Sequence, residues 1–250
     1  TAIWYYQGVS MTWKSVKMRF VFFKYFRAIV KVLAFLICVA VWDSRTVYAN
    51  DAVQKKIVES AEKIFNQYEI SYVYGGHQLG GKGECERCNA CLEKNKPSRD
   101  DKLKVCEVCS RCSLDCSHFT QMVFSGAGLK SPYLTTQTML ALSPDELFRN
   151  YHLVAIGLDI SQAQDGDLLV YRGHVVLLKK LRGPNQGDII HATSGRDVRG
   201  PGQGLQRERL VLLNHFRGPL LRILRHKEVL GGASQPFSAK LRPVEKRNPR

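Results

Sequence analysis

The sequence has no apolar run long enough to cross a bilayer. Its apolar run Val32 to Trp42 is eleven residues long, whereas a membrane-spanning helix needs about 20, so no span is expected in the mature chain. Acidic residues are scarce too: 22 Asp+Glu stand against 37 Lys+Arg, a formal charge of +15. The deficit lies at the ends. Residues 1–49 hold seven Lys/Arg and one acid, Asp43; residues 196–250 hold thirteen and four; residues 50–195 hold seventeen of each. A neutral body with a basic C-terminal part suits attraction to an anionic polymer, and equally a solvated tail. Residues 231–250 have three Pro and no apolar periodicity, which reads as a flexible tail. Large apolar residues are also few in residues 77–114, so that stretch needs some cross-link to hold a shape. Elsewhere the chain has 44% hydrophobic residues, enough for one domain with a core.

The short apolar run has a use. Met18 opens a basic, aromatic lead into it, and Val47-Tyr48-Ala49 supplies small-residue cleavage chemistry after it. Residues 1–49 therefore read as a signal peptide, with residues 1–10, which lack Met, as upstream sequence ahead of the start. Cys38, behind Ile37 in the run, is expected to be discarded with it. An exported chain meets cell-envelope polymer before nucleic acid, so no nucleic-acid partner is expected.

Residues 51–68 place Val53, Ile57, Val58, Ala61, Ile64 and Phe65 at helical spacing. Tyr72 to Gly76 is extended and ends in a double glycine that lets backbone approach backbone closely. Asp115 is a good N-cap for a helix that starts at Cys116 and ends near Gly126 and Gly128. Ser143-Pro144-Asp145-Glu146 is a helix start. Short strands are expected at Leu168 to Tyr171, Val175 to Leu178, Ile189 to Ala192, Leu210 to Leu213 and Leu220 to Leu224. Helices first and antiparallel strands after imply an α+β domain.

The chemistry centres on Cys116. A thiol in the first turn of a helix faces the positive end of the helix dipole, and a neighbouring imidazolium would lower its pKa further. His174 and His191, at the ends of two strands joined by a turn, are the candidate partners. Taken singly, a buried Cys is more often inert packing, and Asp115 is accounted for by capping alone.

Tyr72-Val73-Tyr74-Gly75-Gly76, Asp115-Cys116-Ser117, Gly166-Asp167-Leu168-Leu169-Val170-Tyr171, His174-Val175-Val176 and Ile190-His191-Ala192 occur in the order of the blocks of the NlpC family of cell-wall cysteine peptidases. The chain resembles that family over roughly residues 52–226. The resemblance implies a papain-like NlpC-type domain over residues 50–230, with N-terminal helices packed on an antiparallel sheet. It makes Cys116 the nucleophile, His174 the general base, His191 the residue that orients it and Tyr72 a contributor to the oxyanion site. Asp115 and Ser117 would line the groove and meet the free amino group of a short stem peptide. The implied reaction is hydrolysis of an amide in peptidoglycan stem peptides, of the D-glutamyl-diaminopimelate type, in the periplasm or cell envelope. An N-acyl amidase or acyltransferase of the same fold is the alternative within the family.

The family has a short loop where this chain has residues 77–114. There Cys85, Cys88 and Cys91 mirror Cys106, Cys109 and Cys112 about a turn near Pro97-Ser98. Two antiparallel helices, Glu84 to Asn95 and Asp101 to Ser113, could be stapled by the nested disulfides 85–112, 88–109 and 91–106, which export permits. Two other readings stay open. Cys88, Cys91, Cys106 and Cys109 have zinc-pair spacing, and Cys106-x2-Cys109-x2-Cys112-x3-Cys116 resembles an iron–sulfur ligand run in a redox module. In the disulfide reading Cys116 is the odd thiol of the mature chain, and the peptidase needs no cofactor.

Overall fold

The computed structural model describes residues 51–67, 69–194 and 204–231. The signal peptide expected over residues 1–49 and the tail beyond residue 231 lie outside them. Among the described residues, no helix is long and apolar enough to cross a membrane.

Helix α1 (residues 51–67) buries Ile57, Ala61 and Ile64 along one face. Helices α2 (Lys82–Asn95) and α3 (Lys102–Val105) belong to the insertion, and α4 (Cys116–Gly126), α5 (Thr136–Ala141) and α6 (Pro144–Tyr151) follow. At α6 the Ser143 Oγ accepts from the Glu146 N–H while the Glu146 carboxylate accepts from the Ser143 N–H. That is the capping box the sequence announces.

The strands are β1 (His77–Gln78), β2 (Ser113–Leu114), β3 (Leu153–Gly157), β4 (Leu168–Tyr171), β5 (His174–Gly183), β6 (Gln186–Thr193), β7 (Gly204–Leu212) and β8 (Arg222–His226). Six form one sheet in the order β3-β8-β4-β5-β6-β7, with every neighbour antiparallel. Alternate residues serve two layers. Leu168, Val170, Val175, Leu177, Ile190 and Ala192 pack under α1 and α4 with Ile57, Phe119, Val123 and Phe124. Leu169, Tyr171, Val176, Leu178 and Ile189 pack on the other face with Ile160, Leu213 and Ile223. Because both faces of the central strands are covered, these strands read as unbroken apolar runs.

Two edges differ from expectation. β3 escapes the sequence reading because it is a short strand that begins straight after His152, the left-handed cap of α6 (φ 58°). β7 begins at Gly204, well before Leu210, because this edge strand exposes much of its length and carries charge, so hydrophobicity does not mark it.

The insertion is closed at its base by the β1–β2 pair, His77 opposite Leu114 and Gln78 opposite Ser113. The disulfides Cys85–Cys112, Cys88–Cys109 and Cys91–Cys106 join its two arms in the nested order read from the spacing. The first arm is one helix. The second is α3 followed by a 3₁₀ turn over Glu107–Ser110, not the continuous helix expected. A 3₁₀ turn, at 3.0 residues per turn, suits a spacing of three, although the first arm carries the same spacing on an α-helix. Cys88, Cys106 and Cys109 form a small core with Val73 in place of large apolar residues. The four sulfurs offered to zinc are thus bonded to one another in two pairs. The three cysteines of the iron–sulfur-like run are likewise tied to the opposite arm, leaving Cys116 as the free thiol.

Candidate active site

Asp115 is extended (φ −93°, ψ 175°) and its Oδ1 accepts from the His118 N–H at 2.8 Å, which starts α4 at Cys116. Its Oδ2 accepts from the Gly75 N–H at 3.3 Å, so the same carboxylate fixes the Tyr72–Gly76 segment beside the helix start. Gly76 is required there: a Cβ would sit 2.4 Å from the Ser113 Oγ and 2.9 Å from Ser113 backbone. Tyr72 bridges Leu114 in parallel, and the Lys102 Nζ from the insertion donates to the Tyr72 carbonyl at 3.2 Å.

The Cys116 sulfur is 5% exposed at the level of its residue and accepts from the backbone N–H of Val175, the residue after His174. The thiol therefore lies at the head of β5. His174 and His191 follow the strand parity of Val176 and Ile189, and Phe216 lies beside both rings. The His174 Nε2 is 2.7 Å from the His191 Nδ1, and the His191 Nε2 is 2.9 Å from the Glu208 Oε1. Glu208 stands opposite Ile189 on β7, one diagonal step from His191.

This row fixes its own protons. A carboxylate accepts and does not donate, so the His191 Nε2 carries the hydrogen and a neutral His191 accepts at Nδ1. The His174 Nε2 must then donate, leaving a lone pair on its Nδ1 as the basic position.

Burial pushes His174 well below the usual imidazole range, and His191 and Arg217 push the same way. Burial also lowers His191, against the pull of Glu208. The Cys116 thiol is pushed up by burial and by the Asp115 charge, against hydrogen bonds from Val175 and Ser117. The imidazolium expected beside a lowered thiol is thus replaced by a neutral thiol and a neutral imidazole, because desolvation disfavours both charges. At neutral pH both histidines are uncharged in the folded and the unfolded chain. As pH falls through about 6.5 the unfolded chain takes up two protons that the fold refuses, so stability is lost on the acid side, by up to about 1.4 kcal/mol per pH unit for each histidine. Thermal melts from pH 7.5 to 5.5 should fall accordingly, and a flat melting temperature would contradict the neutral pair.

Tyr72 has its hydroxyl pushed up to about 12 by burial and by the Cys116 and Asp115 charges, against Arg99 and Arg217. It stays a hydrogen-bond donor. Tyr133 is also pushed up to about 12, by burial first, and its hydroxyl pairs with Ser117. Its ring stacks on His118 at 3.9 Å, so His118 is largely covered.

An open cleft has two lobes. The larger, about 480 Å³, is lined by Tyr72, Asp115, Cys116, Ser117, Tyr133 and Thr135–Gln137 among others. The smaller, about 320 Å³, is lined by His174, Tyr72 and three arginines, Arg99, Arg172 and Arg217. Five of the six candidate residues thus face the cleft, and His191 is buried behind His174. Sequence reasoning missed Glu208 and the arginines.

Among solved structures, the chain resembles the P60 domain of an antigen from M. avium paratuberculosis, with 14% identity, a TM-score of 0.38, and coverage of 69% of this chain and 93% of that one. It also resembles the peptidoglycan hydrolase RipB from Mycobacterium tuberculosis, with 18% identity, a TM-score of 0.39, and coverage of 69% and 65%. No curated protein matches. The model of the NlpC/P60 family matches residues 70–211, more than half of the chain, and that span holds all six candidate residues together with the helix start and strands that carry them. The chain belongs to the NlpC/P60 family.

Proposed function

We propose that the chain is an exported cysteine peptidase that hydrolyses an amide bond in peptidoglycan stem peptides, of the D-glutamyl-diaminopimelate type. The observation that carries this reading is the row from Glu208 through His191 to His174, whose chain neighbour Val175 turns its backbone N–H to the Cys116 thiol at the start of α4. Membership of a cysteine-peptidase family supports the chemistry.

The roles follow from proton positions. The His174 Nδ1 takes the thiol proton as the Cys116 sulfur attacks the amide carbonyl, and the Val175 N–H steadies the developing thiolate. The oxyanion receives hydrogen bonds from the Cys116 backbone N–H and the Tyr72 hydroxyl. His174 returns the proton to the leaving amine, giving a thioester. Water then attacks the thioester with His174 again as base, which releases the acid and restores the thiol. His191 orients His174, and Glu208 sets the tautomer of both.

Asp115 has a second role in this reading, since its carboxylate lines the larger lobe and attracts the free amino end of a stem peptide. Asp115→Asn keeps an oxygen for the His118 N–H but removes the charge and the acceptor for the Gly75 N–H. KM for stem peptides with a free amino terminus should rise about tenfold, with little change for N-acetylated ones. A uniform change for both would remove the recognition role and leave only the cap.

Export is supported by the leader sequence and by three disulfides, which persist in oxidising compartments. Residues 1–49 are then a signal peptide, and N-terminal sequencing of the mature protein should start at Asn50. A chain still carrying Met18 would contradict this.

A further inference from the structure

We infer that the smaller lobe is a carboxylate-binding subsite for the leaving-group side of the substrate, and that the disulfide-stapled insertion exists to supply one of its arginines. The inference rests on the peptidase reading above and names which substrates it prefers.

Arg99 and Arg172 stand where the two lobes meet and line both. Asp115 lies in the lobe with Cys116, while the smaller lobe adds Arg217, His174 and Ser194 and has no acidic side chain among its described residues. The direction of the substrate follows. His174 protonates the departing amine, and it lines the arginine lobe, so the residue beyond the cut lies there. Asp115 holds the amino end at the other side.

Arg99 comes from the turn between α2 and α3, where Lys96 ends α2 in the left-handed conformation (φ 42°) and Pro97 follows. The Cys91–Cys106 bond closes the chain around this turn. Arg99 projects over the cleft, with its guanidinium 4.8 Å from the centre of the Tyr74 ring. Arg172 sits in the tight turn between β4 and β5, two residues before His174. Arg217 is held from the opposite side by a hydrogen bond to the Thr193 hydroxyl and by the Phe216 ring. Arg99 and Arg217 both act on the Tyr72 hydroxyl, so the two charges converge on the centre of the site. Guanidinium groups bind carboxylates in paired hydrogen bonds. The ligand is therefore a residue after the cut that bears a free carboxylate, either on its side chain or at the peptide terminus, in preference to the carboxamide.

The test reads binding, so that it stands apart from cleavage. Cys116→Ala protein is titrated by calorimetry with stem peptides that differ only in one group beyond the cut: free acid, side-chain amide or terminal amide. The free acid should bind about five- to tenfold more tightly than one of the two amides, and that amide identifies the carboxylate. Adding Arg99→Glu should erase the preference, as should Arg172→Glu, with melting temperatures unchanged because both residues are exposed. Equal binding of acid and amides, or a preference that survives both charge reversals, would overturn the subsite. If the wild type fails to cut these peptides while the acid preference holds, the peptidase reading fails and the subsite stands.

Discussion

Replacing Cys116 by Ala should abolish hydrolysis, and replacing His174 by Ala should do the same, each by at least about 10⁴-fold in kcat. The first removes the atom that attacks and the second removes the base that takes its proton. Members of such a unit are not additive, so the double variant should be no worse than either single one. The loss cannot be attributed to folding, since the sulfur contributes little volume to the core around Phe119 and Leu114. Cys116→Ser is the sharper control. A hydroxyl is a far weaker nucleophile in this neutral pair, so near-normal turnover by that variant would remove Cys116 from the chemistry. His191→Ala should cost less, because water can fill part of its orienting role.

Glu208→Gln is expected to lower kcat by roughly 10²-fold with KM nearly unchanged. The substitution is isosteric, and its effect comes from direction. A glutamine amide can donate to the His191 Nε2, which would move the hydrogen of His191 to Nδ1 and that of His174 to its own Nδ1. The His174 Nδ1 would then hold a proton and could not act as base. Replacing the carboxylate that sets a catalytic histidine's tautomer costs about 10⁴-fold when it touches the base directly. Here one imidazole intervenes, and either amide orientation is open to the glutamine, so the loss is smaller. Glu208→Asp, which restores an acceptor, should recover part of the rate. A Glu208→Gln enzyme with wild-type kcat and an unchanged pH profile would show that the carboxylate is merely a surface partner of β7.

How much of this was legible in the chain depends on whether a signal is local. The block Asp115-Cys116-Ser117 announces a capped helix start through residue types alone, and Asp115 does cap α4. The nested cysteine spacing gave the three disulfides because a mirror symmetry about one turn survives any detail of the helices. Gly76 was readable as a close approach, and Ser113 is the neighbour that requires it. Asp167 is different. It was visible as part of a family block, but its function is structural: its carboxylate pairs with Arg225 through two hydrogen bonds of 2.8 Å, with both side chains buried, and ties β4 to β8. Nothing near Asp167 in sequence points to a partner 58 residues on.

Glu208 was invisible for a related reason. It lies on an exposed, charged edge strand whose register against β6 decides that it meets His191, and register is a property of the sheet. Arg99 stands in a polar turn that reads as solvent-facing until the insertion is folded over the cleft. The charge state of the candidate Cys116–His174 pair differs from the sequence reading because helix position is read from sequence, whereas the desolvation that pushes the thiol up and the imidazole down needs the burial of both residues.

The most direct measurement is digestion of purified muropeptides with mass readout, run with the wild type and with Cys116→Ala. The wild-type protein should convert a stem peptide into two fragments whose masses sum to the substrate plus one water, with a new amino group on the diamino-acid fragment, and Cys116→Ala should leave the peptide intact. Intact peptide with the wild type, or the same fragments from both proteins, would contradict the assignment of this site as a thiol peptidase of the cell wall.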